Sequence, residues 1–187
     1  MKRIVIALCL IFSLIVCLPA CEQVIEENPE FEILEAVINT EHSSYTIDIS
    51  VEFPEGKLNE KYEVIVSDGE YKVDYHIERF SGFDVDQNGI TAPGSYISTS
   101  EGTLTGDDAL SYKLPEFNFS YRCLTSDVIF LRTFSADITS MKAFVGMDVE
   151  ATDATVEVEY TSSAVRNIII SYVNGDGNTV TITYDFQ

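Results

Sequence analysis

From Phe31 onward the chain repeats with a period of two, and this restricts the body of the protein to β-structure. Tyr45, Ile47, Ile49, Val51 and Phe53 alternate with Thr46, Asp48, Ser50 and Glu52. Val156, Val158 and Tyr160 alternate with Glu157 and Glu159; Val180, Ile182, Tyr184 and Phe186 alternate with Thr179, Thr181, Thr183 and Asp185. On a strand successive side chains point to opposite faces, so each run reads as a strand with one buried and one wet face. Two runs, Val128-Ile129-Phe130-Leu131 and Ile168-Ile169-Ile170, are apolar on both faces and predict central or doubly covered strands. Further strands are expected near 31–38, 61–67, 71–80, 95–104 and 142–150. No window carries a helical period.

Turn chemistry agrees. Pro54-Glu55-Gly56 ends one strand, Ser67-Asp68-Gly69-Glu70 reads as a tight hairpin, and Asn174-Gly175-Asp176-Gly177-Asn178 joins the last two strands. About ten short strands, with turns every 8–12 residues or so, predict an all-β antiparallel β-sandwich, Ig-like in general character. Residues 31–187 are expected to form one such domain. A split would fall within 106–121, where patterning weakens, but the segment after Tyr121 holds only about 65 residues, short for a sandwich of about 100.

The first thirty residues follow different rules. Lys2 and Arg3 precede an apolar run from Ile4 to Val16 that is broken only by Ser13. The run is shorter than the roughly 20 residues a membrane span needs, and it matches a secretory signal. It ends in Leu18-Pro19-Ala20-Cys21, an aliphatic residue, then a small residue, then cysteine. This resembles the lipobox of bacterial lipoproteins. The resemblance implies cleavage before Cys21, a diacylglyceryl thioether on its sulfur and acylation of the new amino group, which together exceed the two signals that stable anchoring requires. Residues 1–20 are then the leader and the acidic, Pro29-containing stretch 21–30 a tether. A plain secretory peptide cleaved after Ala20, or an uncleaved N-terminal helix, are the competing readings. Cys9 and Cys17 leave with the leader, so Cys123 stands without a disulfide partner and reads as a small buried apolar residue.

Charge removes several function classes. The chain has 11 Lys plus Arg against 31 Asp plus Glu, a formal charge of −20 that loss of Lys2 and Arg3 makes two units more negative. Nucleic acid, whose affinity rests on basic residues, is not an expected partner, and neither is electrostatic attraction to anionic lipid. Cationic partners, Ca²⁺ among them, suit such a surface.

Three local motifs carry chemistry. Asp84-Val85-Asp86-Gln87-Asn88-Gly89 resembles the first half of an EF-hand-type calcium loop: oxygens from Asp84, Asp86 and Asn88 at alternate positions, with Gly89 for the turn. The twelfth position, however, is Ser95 instead of a bidentate Glu, and the run also reads as an acidic loop with an Asn-Gly turn. Asn174, Asp176 and Asn178 repeat the alternation with a single charge, where supplying a turn is the simpler role. Asp74, His76 and Glu78 share one strand face, and imidazole with carboxylates suits a transition metal. Three such residues in a row span roughly 13 Å, so a solvated polar face is the competing reading. His42 lies in a turn-like stretch. No Gly-x-Ser-x-Gly elbow, zinc-protease helix or phosphate-binding glycine loop occurs, and there is no Trp for stacking sugars.

The expectation is therefore a non-catalytic binding or adhesion module on the cell envelope, anchored to the membrane through Cys21, with an envelope protein or a glycan as partner. An accessory structural subunit of an envelope complex and a carboxylate-dependent, polysaccharide-active enzyme are the alternatives.

Overall fold

The computed structural model describes residues 34–35, 38–54, 56–81, 83–85, 91–93, 96–120, 123–130, 133–161 and 163–186. Cys21, Asp86 and Asn88 lie outside them. The described chain is all-β, with eleven strands: β1 (Ser44–Phe53), β2 (Gly56–Ser67), β3 (Glu70–Ser81), β4 (Phe83–Val85), β5 (Thr91–Pro93), β6 (Tyr96–Thr105), β7 (Leu124–Phe130), β8 (Thr133–Ile138), β9 (Ala151–Tyr160), β10 (Val165–Asn174) and β11 (Thr179–Phe186). Two short helices interrupt them, α1 (Asp107–Leu110) and α2 (Met141–Val145).

The strands that the sequence distributes over a sandwich are hydrogen-bonded into one antiparallel nine-stranded sheet, ordered β6-β3-β2-β1-β11-β10-β9-β8-β7, and β4 and β5 form a separate ribbon. The register is set by the apolar alternation. One row of Cα partners crosses the whole sheet: Gly102, Tyr75, Tyr62, Ile47, Tyr184, Ile168, Val158, Phe134 and Ile129. Of these, Tyr62, Ile47, Tyr184, Ile168, Val158 and Phe134 are buried. The next row carries Glu101, His76, Lys61, Asp48, Thr183, Ile169 and Glu157 on the opposite face. A slip of one residue would exchange the two rows, burying charge and exposing the core, so the register is strongly specified.

The buried face is covered by the connection between β6 and β7. Because these strands are the two ends of the sheet order, the chain must cross the sheet to pass from one to the other. It does so in register with the strands beneath. Helix α1 lies against β6 and β3. The Tyr112 ring sits 4.3 Å from Tyr62 of β2, and the Tyr112 carbonyl accepts from the Tyr45 hydroxyl of β1 at 2.8 Å. Phe117 packs edge-on against Tyr184 of β11 at 5.5 Å, and Phe119 against Phe134 of β8 at 5.7 Å. Phe117 and Phe119 are fully buried, each contributing about 1.5–3 kcal/mol in burial. Within 106–121, the site of the anticipated split, Tyr112, Phe117 and Phe119 thus join the same core as both halves of the sheet.

Three expectations are corrected. Within 31–38, Leu34, Glu35 and Ile38 are helical, and Leu34 and Ile38, four apart, present one fully buried face. Within 142–150 there is no strand before Ala151. Met141, Phe144 and Val145 have helical spacing instead, Ser140 accepts from the Ala143 amide at 3.2 Å, and Gly146 ends the helix at φ 74°. Val128, Ile129 and Phe130 fall in β7, an end strand and not a central one, because rank in the sheet follows from where the chain arrives; Leu131 lies outside the described residues. Ile168-Ile169-Ile170 lies on β10 between β9 and β11, as expected, with Ile168 and Ile170 fully buried.

Candidate functional site

Asp74, His76 and Glu78 alternate along β3 on the solvent face, as the sequence predicts. β2 lies on one side, carrying Lys61 opposite His76, and β6 on the other, carrying Glu101 opposite His76. Their side chains are engaged in pairs. Asp74 accepts from Lys72 Nζ at 2.7 Å and from the Thr103 hydroxyl at 2.5 Å, and these two hydrogen bonds hold its carboxyl below the usual carboxylate range. His76 lies between two carboxylates, with Nε2 3.3 Å from Glu78 and Nδ1 3.8 Å from Glu101. The three residues do not converge on one point. Among the described residues, no group of three His, Cys, Asp or Glu side chains is placed to hold a metal. The three are instead divided between separate pairs, Asp74 with Lys72 and Thr103, and His76 with Glu78 and, across the strand, Glu101.

On the same face Lys61 pairs with Glu63 at 3.0 Å, and Arg166 of β10 pairs with Glu159 of β9 at 3.1 Å. Asp48 of β1, in the row of Lys61, is raised by partial burial, which Lys61 opposes. The face is a ladder of exposed pairs of alternating sign. Each contributes about 0–1 kcal/mol, so the ladder fixes a surface pattern more than it adds stability.

Asp84 of the calcium-like motif lies in β4, paired through its Cα with Ala92 of β5. In the second loop, Asn174 Oδ1 accepts the backbone amides of Asp176 at 3.1 Å and Asn178 at 2.9 Å. Gly177 takes φ 79° and its amide donates to the Asn174 carbonyl. The oxygen that a cation would need is already the acceptor that closes the hairpin.

Two open hollows lie at the ends of the covered face. One, of about 810 Å³, is bordered by α2, the 148–152 segment and the β10–β11 turn; Lys142 and Asp148 pair across it at 3.2 Å. The other, of about 950 Å³, lies between the 39–45 segment, the β2–β3 turn and residues 110–116. Its aromatic lining includes His42, whose ring lies tilted 4.4 Å from that of Phe186, and Tyr45. The Tyr45 hydroxyl is committed, donating to the Tyr112 carbonyl and accepting from the Leu114 amide at 2.9 Å, and burial pushes its pKa up to about 12.

One feature that sequence reasoning missed is the free edge of β6. Ser98 to Thr103 are all exposed, and among the described residues β6 pairs with β3 on one side only. Period-two reading finds the strand but gives no position in the sheet, so the edge was not legible. Gly102 was a usable signal, since an isolated glycine within a strand marks a close approach. Here the Tyr75 ring lies across it, with the hydroxyl 2.7 Å from where a Cβ would stand.

No family model matches this chain. Comparison with curated proteins likewise returns no match.

Proposed function

We propose that the mature chain is a lipid-anchored, non-catalytic binding module of a bacterial cell envelope. The observation that carries this reading is Leu18-Pro19-Ala20-Cys21 at the end of a short apolar run behind two basic residues. Acyl chains on Cys21 hold the protein at the membrane, residues 22–30 act as the tether, and the β-body faces water. The finer likeness of that body to an immunoglobulin-type sandwich rests on strand length and turn spacing. The non-catalytic reading rests on a sequence with two histidines, no nucleophile elbow and no phosphate loop. The polar face of β3 and the hollow beside His42 give such a module surfaces for a protein or glycan partner.

The anchor is tested by mass spectrometry of the processed N-terminus. The expected result is a diacylglyceryl adduct on Cys21, with Cys21→Ser leaving the protein soluble. An unmodified thiol on the cleaved chain overturns the anchor. Binding is tested by presenting the detergent-solubilised lipoprotein to glycan and envelope-protein arrays; turnover of a polysaccharide, abolished by one Asp or Glu substitution, would replace this reading with an enzyme. Calcium enters the proposal through Asp84, Asp86 and Asn88. Bound calcium stabilises by mass action, so millimolar Ca²⁺ should raise the melting temperature over that in chelator, and Asp86→Ala should remove the rise. Coincident curves overturn it.

A further inference from the structure

We propose that the free edge of β6 is a strand-addition site for an extended, basic polypeptide segment of an envelope partner, a deepening that rests on the reading of the protein as a binding module. Four observations lead there. First, among the described residues β6 has one side of its backbone without a partner strand. It ends the sheet order, and Ser98–Thr105 keep an unbroken register with β3, the only irregularity in that pairing lying at the Arg79/Phe80 step. In an antiparallel pair, alternate residues turn their N–H and C=O away from the partner, so this stretch presents a row of donors and acceptors to solvent.

Second, the edge lacks the usual protection. Natural edges are blunted by Lys, Pro or a bulge, and Ser98-Thr99-Ser100-Glu101-Gly102-Thr103-Leu104-Thr105 contains neither Lys nor Pro. Its single charge, Glu101, is 81 % exposed in its side chain. Third, the edge is shaped. Gly102 leaves a notch between Ser100 and Leu104, floored by the Tyr75 ring. A side chain on an added strand opposite Gly102 would rest on that ring, as an aromatic rests on a cross-strand glycine.

Fourth, charge selects the occupant. On β3, β6 and the first turn of α1, the acids Glu70, Asp74, Glu78, Glu101, Asp107 and Asp108 outnumber the bases Lys72 and Arg79, and Lys72 is already paired with Asp74. A second copy of a chain at −20 would bring the same acids to the same edge, with Glu101 close to its own counterpart in a symmetric pairing. A segment alternating basic with aliphatic residues meets Glu101 on the solvent face and the Gly102 notch on the other, while its backbone supplies the affinity.

The experiment uses the full processed lipoprotein in mild detergent and a fluorescein-labelled ten-residue peptide of alternating lysine and valine. The comparison peptide has the same charge, with proline replacing alternate valines so that it cannot complete a ladder. Fluorescence anisotropy should give the strand-competent peptide an affinity roughly tenfold or more above the proline peptide. Glu101→Lys, a surface change that leaves the fold intact, should weaken it by about tenfold, and amide exchange should slow along β6. Equal affinity for both peptides means charge attraction alone and overturns the proposal, as does binding indifferent to Glu101→Lys. Self-association of the lipoprotein through β6, seen as a Glu101→Lys-sensitive dimer in sedimentation, also overturns it in favour of a second copy. Acylation of Cys21 is read on the same preparation, so failure of the edge site is separable from failure of the anchored module.

Discussion

Tyr45 shows how a single polar atom can organise a long connection. Its hydroxyl bridges the Tyr112 carbonyl and the Leu114 amide, tying β1 to residues almost seventy positions away. Tyr45→Phe keeps the ring and leaves both backbone groups short of a partner, so it should cost about 1–3 kcal/mol, measured as a lower urea midpoint at unchanged slope. Tyr184 is buried without such a bridge in its favour. Burial raises its pKa from 10.0 to about 12, with Tyr172 adding to the shift. A raised phenol favours the neutral, folded form. Its contribution is complete below pH 10 and is lost as pH climbs toward 12, where the unfolded chain gains by ionising. The urea midpoint should therefore fall above pH 10, and Tyr184→Phe should flatten that fall. An equally steep fall in the variant would show that other groups drive the alkaline transition. Tyr62 is pushed upward too, by burial and then by its hydrogen bond to Glu60 at 2.8 Å.

Among the elements, most of the long strands were legible, whereas β8, the short β4 and β5 and the short helices were not. Runs such as Tyr45–Phe53 and Val180–Phe186 span seven residues or more, so the period of two is unmistakable. Helix α2 has five residues, barely one turn, and its Met141, Phe144 and Val145 could not establish a period against a β-rich background. Its end signals were nevertheless present: Ser140 before it and Gly146 after it. Ser140→Ala should cost about 1 kcal/mol by removing the cap, and thermal melting should detect it. The solvent face of β3 was also legible, since alternation alone puts Asp74, His76 and Glu78 on one side. What β3 faces was not legible. The Glu101 neighbour arises from pairing with β6 across a long connection, and no local pattern encodes that partner. The β2–β3 hairpin is the converse case. Asp68 and Gly69 at φ 54° and 80° form the two-residue turn that the sequence announces, and the register of twelve pairs follows from it.

At the scale of the whole molecule, net charge and topology set the behaviour. An excess of twenty negative charges makes the folded state repel itself, and ions screen that repulsion. Raising NaCl from about 0.01 M to about 0.1 M shortens the screening length from about 30 Å to about 10 Å, and the melting temperature should rise by a few degrees. A melting temperature that falls with salt would mean the exposed pairs on β2, β3 and β9 outweigh the repulsion. Topology acts through β1 and β11. The first and last strands of the nine-stranded sheet pair with each other at its centre, while strands adjacent in sequence fill the flanks. Sequence nearness could not reveal this, because the two partners lie more than a hundred residues apart. The consequence is temporal. As the chain emerges from its N-terminus, the leading half carries an open central seam along β1 that nothing can close until the final strand is out. Such late, distant pairing is slow, and it exposes a bare hydrophobic border meanwhile. Deleting Thr179–Phe186 would remove a mid-sheet strand instead of trimming a margin. The truncated chain should accordingly lose cooperative melting altogether, and a merely lowered transition would show that each half can seal itself.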